Sequence, residues 1–263
     1  MRIEYSARSH MGRVRKNNED NLFANQITLP EGLENRPFAI DGIADLPAVF
    51  AVCDGMGGEE HGEIASRIAV NTLILHYESF CHATERQIAN EVAAYVNNTH
   101  EAICESVGRD VRTGATLALS IIMNRGAFCF NLGDSRIYAI RKGRLQKITH
   151  DHTWIAEQQA KGIQLSMEDI RANQHKITRC IGTGESQSAE EYHLIGGKCR
   201  FLLCSDGLTD MVSDAEIEGI LYHCTSTVKA ADTLISRALH YGGKDNTTLI
   251  VVDTGKSHIF PFL

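Results

Sequence analysis

A chain of 263 residues with 43% hydrophobic and 22% charged side chains can build a sizeable core, as one large domain or two small ones. Its formal net charge of −7, spread along the chain, excludes a nucleic-acid surface, which needs a basic face to neutralise phosphates. No apolar stretch is long enough to cross a bilayer, the first residues lack a signal-peptide core, and the eight cysteines show no CxxC pair and sit mostly in apolar runs. These features predict a cytoplasmic protein with reduced thiols and no membrane contact.

In chain order, three of the four prolines fall between Pro30 and Pro47, and the segment from Pro30 to Pro37 reads as a loop excursion between two strands. Residues 48–53 read as a buried strand that stops at Asp54, with Gly55-Met56-Gly57-Gly58 as a tight turn. A helix is predicted from Glu63, its stripe formed by Ile64, Ala65, Ile68, Ala69, Thr72 and Leu73. A second opens at Thr84, with Gln87 completing a capping box, and aligns Ile88, Val92, Tyr95, Val96, Thr99 and Ile103. Residues 115–123, 127–132, 136–140 and 144–148 read as strands, and the short gaps between them predict antiparallel hairpins. A short helix over 154–161 ends at Gly162, and the polar stretch 163–178 reads as an irregular flap. Strand 200–204 runs into Asp206. A helix capped by Ser213 with Glu216, a helix over 228–241 and a strand over 248–252 follow. The pattern predicts an α+β single domain over residues 1–263, with helices packed outside antiparallel sheets. The apolar run Ile259-Phe260-Pro261-Phe262-Leu263 is expected to pack on its own domain.

Four segments carry the chemistry: Asn18-Glu19-Asp20, Asp54-Gly55-Met56-Gly57-Gly58, Ser205-Asp206-Gly207 and Lys244-Asp245-Asn246. Most adjoin a predicted strand, and carboxylates at strand ends can converge although distant in the chain. Gathered in one cleft they repel each other unless cations lie between them, and such oxygen-rich clusters suit Mg²⁺ or Mn²⁺. Each segment alone has a plainer reading. Asp54 fits a glycine-rich turn, Asp206 a helix N-cap, Asp245 an Asx turn, and Glu19-Asp20 a solvated acidic pair. A Cys-x₅-Arg phosphate cradle and a P-loop are both absent from the sequence.

Taken in order, the motifs resemble those of the metal-dependent serine/threonine protein phosphatases of the PP2C-like (PPM) family, in its compact bacterial form. The resemblance runs from Gly12-Arg13-Val14-Arg15-Lys16-Asn17-Asn18-Glu19-Asp20 through Asp54-Gly55-Met56-Gly57-Gly58, Thr113-Gly114-Ala115-Thr116 and Gly133-Asp134-Ser135-Arg136. It continues with Thr149-His150-Asp151-His152, Ile177-Thr178-Arg179-Cys180-Ile181-Gly182, Ser205-Asp206-Gly207-Leu208 and Asp245-Asn246-Thr247. It implies an antiparallel β-sandwich with a helical layer outside each sheet. It also implies two Mn²⁺ or Mg²⁺ ions bridged by Asp54, with the Gly55 carbonyl on the first and Asp206 and Asp245 on the second. Glu19 and Asp20 would act on that second ion directly or through its waters, and a third, looser ion would be shared by Asp206 and Asp110. Arg15 would grip the substrate phosphate, and a water acidified between the ions would attack phosphorus without a covalent intermediate. Arg15, Asp54 and Asp206 are the catalytic residues on this reading.

Asp134 and Arg136 are expected to form a structural turn and ion pair, and His152 to pack. Met56 stands where many eukaryotic relatives carry a histidine proposed as general acid, so metal-bound water is the expected proton donor, with His61 as the alternative. The implied partners are phosphorylated proteins, substrates of a cognate serine/threonine kinase, acted on by a monomer whose selectivity lies in residues 153–178. The competing reading is an inactive phosphoprotein-binding or scaffold member of the same fold. Such a member is expected to have lost ligands that this chain retains.

Overall fold

Short, near-continuous apolar runs form the central strands, buried on both faces and all paired antiparallel, and longer segments with a single apolar stripe form helices. The computed structural model describes residues 2–57, 61–108, 111–141, 143–196 and 198–255. The chain forms β1 (Ile3–His10), β2 (Asp20–Ala24), β3 (Ile27–Thr28), β4 (Phe38–Ala44), β5 (Ala48–Gly57), α1 (Gly62–His82) and α2 (Ile88–Val107). There follow β6 (Thr113–Ala115), β7 (Leu117–Met123), β8 (Gly126–Leu132), β9 (Arg136–Arg141), β10 (Arg144–Lys147), α3 (Trp154–Ala160) and α4 (Met167–Asn173). The last part gives β11 (Glu190–Ile195), β12 (Arg200–Cys204), α5 (Asp206–Thr209), α6 (Asp214–His223), α7 (Thr227–His240) and β13 (Thr247–Asp253).

One sheet has the order β10-β9-β12-β13-β1-β4, the other β11-β8-β7-β5-β2-β3, with β6 added beside the end of β5. Between them lies a core that includes Tyr5, Leu22, Phe50, Val52, Phe201, Leu203, Ile250 and Val252. Outside the second sheet, Val49, Ala51 and Cys53 meet α1 and α2 through Ala69, Leu73, Val92 and Tyr95. Outside the first, Leu202, Leu249 and Val251 meet α6 and α7 through Ile217, Leu221, Ala231 and Leu234. Two sheets, each faced by helices, give four layers, the architecture implied by the resemblance.

Several local expectations need correction. Strand β5 does not stop at Asp54: it runs on to Gly57, exchanging β7 for β6 as its partner, so Gly55 and Met56 pair with Ala115 and Gly114 rather than turn. Gly58 lies outside the described residues. Gly133-Asp134-Ser135 closes no hairpin, because β8 and β9 belong to different sheets and the segment crosses between them. The stretch 163–178 is not wholly irregular. It contains α4, opened by a reciprocal capping box between Ser166 and Asp169. Thr84 bonds the Gln87 side chain as expected, but α-helix begins only at Ile88. Strand β1 was not foreseen: it buries Arg8, which the sequence does not mark as internal, by pairing it with Asp41 at 2.8 Å and Asp232 at 2.6 Å. The run 259–263 lies outside the described residues.

Candidate active site

The alternation of β5 aims Asp54. Phe50 and Val52 face the space between the sheets, and Asp54 shares their parity, so its carboxylate emerges at the end of that space. On β2, Leu22 and Ala24 face the same space, Asp20 shares their parity, and it lies directly opposite Asp54 in the register. Like charges so placed are unfavourable unless something neutralises them. The other sheet contributes from β12 and β13. Ser205, just past β12, donates from Oγ to Asp20 Oδ2 at 2.7 Å, tying the sheets together. Asp206 opens α5 immediately afterwards, and Asp245 precedes β13.

The neighbouring loops are held with little slack. The Asp54 amide donates to Thr116 Oγ1 at 2.9 Å, and the Thr116 amide to the Asp54 carbonyl at 2.8 Å. Asn246 donates to the carbonyls of Met11 and Asn17 and accepts from the Glu19 amide, clamping the loop that carries Arg15 and Glu19. A Cβ on Gly55 would stand 2.0 Å from the Gly62 carbonyl and 2.7 Å from that of Glu19, so only glycine lets α1, β5 and the Glu19 loop meet here. Arg15 donates from Nη2 to Asp245 Oδ2 at 2.6 Å.

The electrostatics agree with the geometry. Burial, reinforced by Asp245 and Glu19, pushes Asp20 up to about 7 against the pull of Ser205. Burial and the charges of Asp20, Asp206, Asp134 and Asp245 push Asp54 well above the carboxylate range. Asp206 is raised likewise, by burial and then by Asp134, Asp210, Asp245 and Asp20. Asp20 Oδ1 and Asp134 Oδ1 are buried without a hydrogen-bond partner. Mutually repelling acids with unsatisfied oxygens, all hard donors, fit a pair of divalent cations better than they fit one another.

The structure thus brings together Glu19, Asp20, Asp54, Gly55, Asp206, Asp245 and Arg15. Asp110 lies outside the described residues. Three participants escaped the sequence reading. Asp210 follows Asp206 by one helical turn, a spacing that offered a signal. His175, just after α4, has a ring nitrogen within 4.8 Å of carboxylate oxygens of Asp206 and Asp210, a proximity that only the fold creates. Asp134 is the third: Arg136 pairs not with it but with Asp151, at 2.8 Å, and burial raises Asp134 to about 6. His152 packs as expected, accepting from the Gly133 amide and meeting Glu190 at 3.0 Å. A cleft of about 450 Å³ opens beside the carboxylates, walled by Arg15, Gln174, His175, Asp210, Lys244 and Asp245.

A helix-flanked antiparallel sandwich whose end gathers carboxylates for hard cations, under an arginine in an open cleft, is the arrangement of a metal-dependent phosphatase. The chain belongs to the protein phosphatase 2C family, whose model matches residues 39–240. It is 30% identical over 258 residues to the serine/threonine phosphatase stp of Listeria welshimeri, spanning 94% of each chain. It also superposes on the serine/threonine phosphatase PstP/Ppp of Mycobacterium tuberculosis with a TM-score of 0.79 at 29% identity, covering 96% of this chain and 99% of that one. A structure of the PstP catalytic domain in complex with two manganese ions gives a TM-score of 0.77 at 30% identity, covering 96% and 99%. The chain is a metal-dependent serine/threonine protein phosphatase, using Mn²⁺ or Mg²⁺. No helix among the described residues is long and apolar enough to cross a membrane.

Proposed function

We propose that Asp54, the Gly55 carbonyl, Asp206 and Asp245 hold two Mn²⁺ or Mg²⁺ ions, that Glu19 and Asp20 support the second, and that Arg15 takes the substrate phosphate. The observation that carries this is the meeting of buried, mutually repelling carboxylates from both sheets at one end of the sandwich. When bound, such ions acidify water and offset the charge that develops at phosphorus. Arg15 already lies over the cleft, and its planar guanidinium suits two phosphate oxygens at once. The Asn246 clamp keeps Arg15 and Glu19 in register with Asp245, and Thr116 fixes the backbone of Asp54. Met56 has no proton to give the leaving serine or threonine oxygen, so a water held at the ions would supply it; His61, at the start of α1, is the alternative. A third ion beside Asp206 would find Asp210 and His175 within reach, their donor atoms lying within 4.8 Å of its own.

On this reading the chain acts as a single monomeric catalytic domain in the cytoplasm, on proteins phosphorylated by a cognate serine/threonine kinase. Residues 153–178, which bring Gln174 and His175 to the cleft, supply selectivity between them. The test is release of phosphate from a phosphothreonine peptide as Mn²⁺ is titrated. Wild type should turn over only with metal, and Asp206→Ala should be inert at matched Mn²⁺. Turnover without metal, or none from a protein that binds Mn²⁺ fully, would favour the scaffold reading instead.

A further inference from the structure

Two loops meet backbone to backbone beside the carboxylates. A Cβ on Gly12 would collide with the carbonyls of Asp245 and Gly243, so the loop after β1 lies directly against the loop before β13. The Arg13 amide donates to the Gly243 carbonyl at 2.7 Å, and Asn246 reaches the carbonyls of Met11 and Asn17. Between those fixed points the chain leaves α7 through Gly242 and Gly243, with φ of +125° and +52°, and Lys244 follows, exposed. The contact gathers cations on one rim: Arg13, Arg15 and Lys16 are exposed on the first loop, Lys244 on the second. Arg13 Cγ would lie 3.3 Å from a Cβ on Gly243, so its side chain runs beside the base of Lys244. Of these four, only Arg15 forms an ion pair among the described residues, with Asp245. Lys244 and Arg15 wall the same cleft. The acids of that cleft do not account for Lys244: Asp245 is engaged by Arg15, and Asp210 feels His175 and Arg136 more strongly than it feels Lys244. In a chain of net charge −7, a rim of like-signed cations at one cleft draws anions to it.

We propose that Lys244, flanked by Arg13, selects substrates with an aspartate or glutamate one or two residues from the phosphorylated serine or threonine. The inference rests on Arg15 taking the phosphate, the reading given above. Arg15 donates to Asp245 at 2.6 Å, and Lys244 is the residue before it, so the two cations stand side by side. Consecutive Cα atoms lie about 3.8 Å apart, and an extended segment advances about 3.3 Å per residue. A substrate side chain one or two positions from the phosphorylated residue therefore comes level with Lys244. The two side chains divide the work by their chemistry. The planar fork of Arg15 matches phosphate oxygens, whereas an ammonium on a flexible stem meets a carboxylate as a point charge and accepts aspartate or glutamate alike.

The test compares kcat/KM at saturating Mn²⁺ on three phosphothreonine peptides, flanked on both sides by glutamate, by glutamine or by lysine. Wild type should favour glutamate over glutamine roughly 2–5-fold, carried mostly by KM, as an exposed charge pair allows, and should rank the lysine peptide last. The preference should shrink in about 0.5 M KCl. Lys244→Gln should bring the glutamate-to-glutamine ratio to about 1, and Lys244→Glu should invert it. Arg125→Glu makes the same charge change on an exposed cation in the turn between β7 and β8, at the other end of β7 from Thr116. It should keep the wild-type ratio, which separates a local contact from net charge. Three results would overturn this inference and leave the phosphatase site standing: equal turnover of all three peptides by wild type, a Lys244→Glu variant that still favours glutamate, or an Arg125→Glu variant that loses the preference as fully. Turnover of none of the peptides by a protein that binds Mn²⁺ would overturn both.

Discussion

Freed of metal, the protein should lose stability as pH rises from 5 to 8, and Asp20→Asn should restore much of the loss. Asp20 rises from the ordinary 3.8 to about 7 in the folded chain, chiefly through burial. The folded state therefore keeps a proton that the unfolded chain releases near pH 4. Because the native state binds more protons, stability falls with pH between the two values and levels off above the higher one. At about 1.4 kcal/mol per pH unit, the rise from 3.8 to about 7 amounts to about 4 kcal/mol, on the order of 10 °C in Tm. That is a ceiling, since neighbouring carboxylates share the titration. Asparagine keeps the shape and an acceptor for Ser205 Oγ but carries no charge. In EDTA, thermal and urea unfolding should show Asp20→Asn outlasting wild type at pH 8, with the gap closing toward pH 4. Mn²⁺ should stabilise wild type more at pH 8 than at pH 5, because the charged carboxylates are the ones that bind it. A metal-free wild type equally stable at pH 5 and pH 8, with the variant tracking it, would refute the reasoning.

Gly55→Ala would drive a methyl group to 2.0 Å from the Gly62 carbonyl; Mn²⁺ affinity, read from activity titrations, should fall roughly 10–100-fold. Arg15→Ala should lower kcat/KM on a phosphothreonine peptide about 100-fold, the worth of a charge-assisted contact, and Arg15→Lys should recover little of it because an ammonium lacks the planar fork. Arg200, only 8% exposed, holds Asp253 with two bonds of 2.7 Å and the carbonyls of Leu221 and Cys224 beyond. Arg200→Met should cost about 3–5 kcal/mol in urea unfolding while leaving kcat at saturating Mn²⁺ unchanged.

The layered fold was legible because its central strands are short apolar runs and its helices carry single stripes: α2 buries Ile88, Val92, Tyr95, Val96, Thr99 and Ile103, the residues its spacing selects. The acidic segments that the fold brings together were legible because each aspartate adjoins a strand or helix whose apolar pattern is strong. What stayed hidden depends on contacts between distant segments. Glycines after Asp54 look like a turn, yet β6, some sixty residues on, supplies the partner that keeps them extended. Arg8 looks like a surface residue until Asp41 and Asp232 arrive from β4 and α7. His175 carries no local signal at all, because its role arises only where α4 is folded back toward α5.

The acids of the site are divided between the layers: Asp20 and Asp54 ride on one sheet, Asp206 and Asp245 on the flanks of the other. Cations held among them would rivet the sandwich at that edge, so metal uptake and the approach of the two sheets become a single linked equilibrium. A residue that never sees the metal, such as Phe50 in the shared interior, thereby acquires influence over its affinity, and the metal in turn partly repairs damage done to that interior.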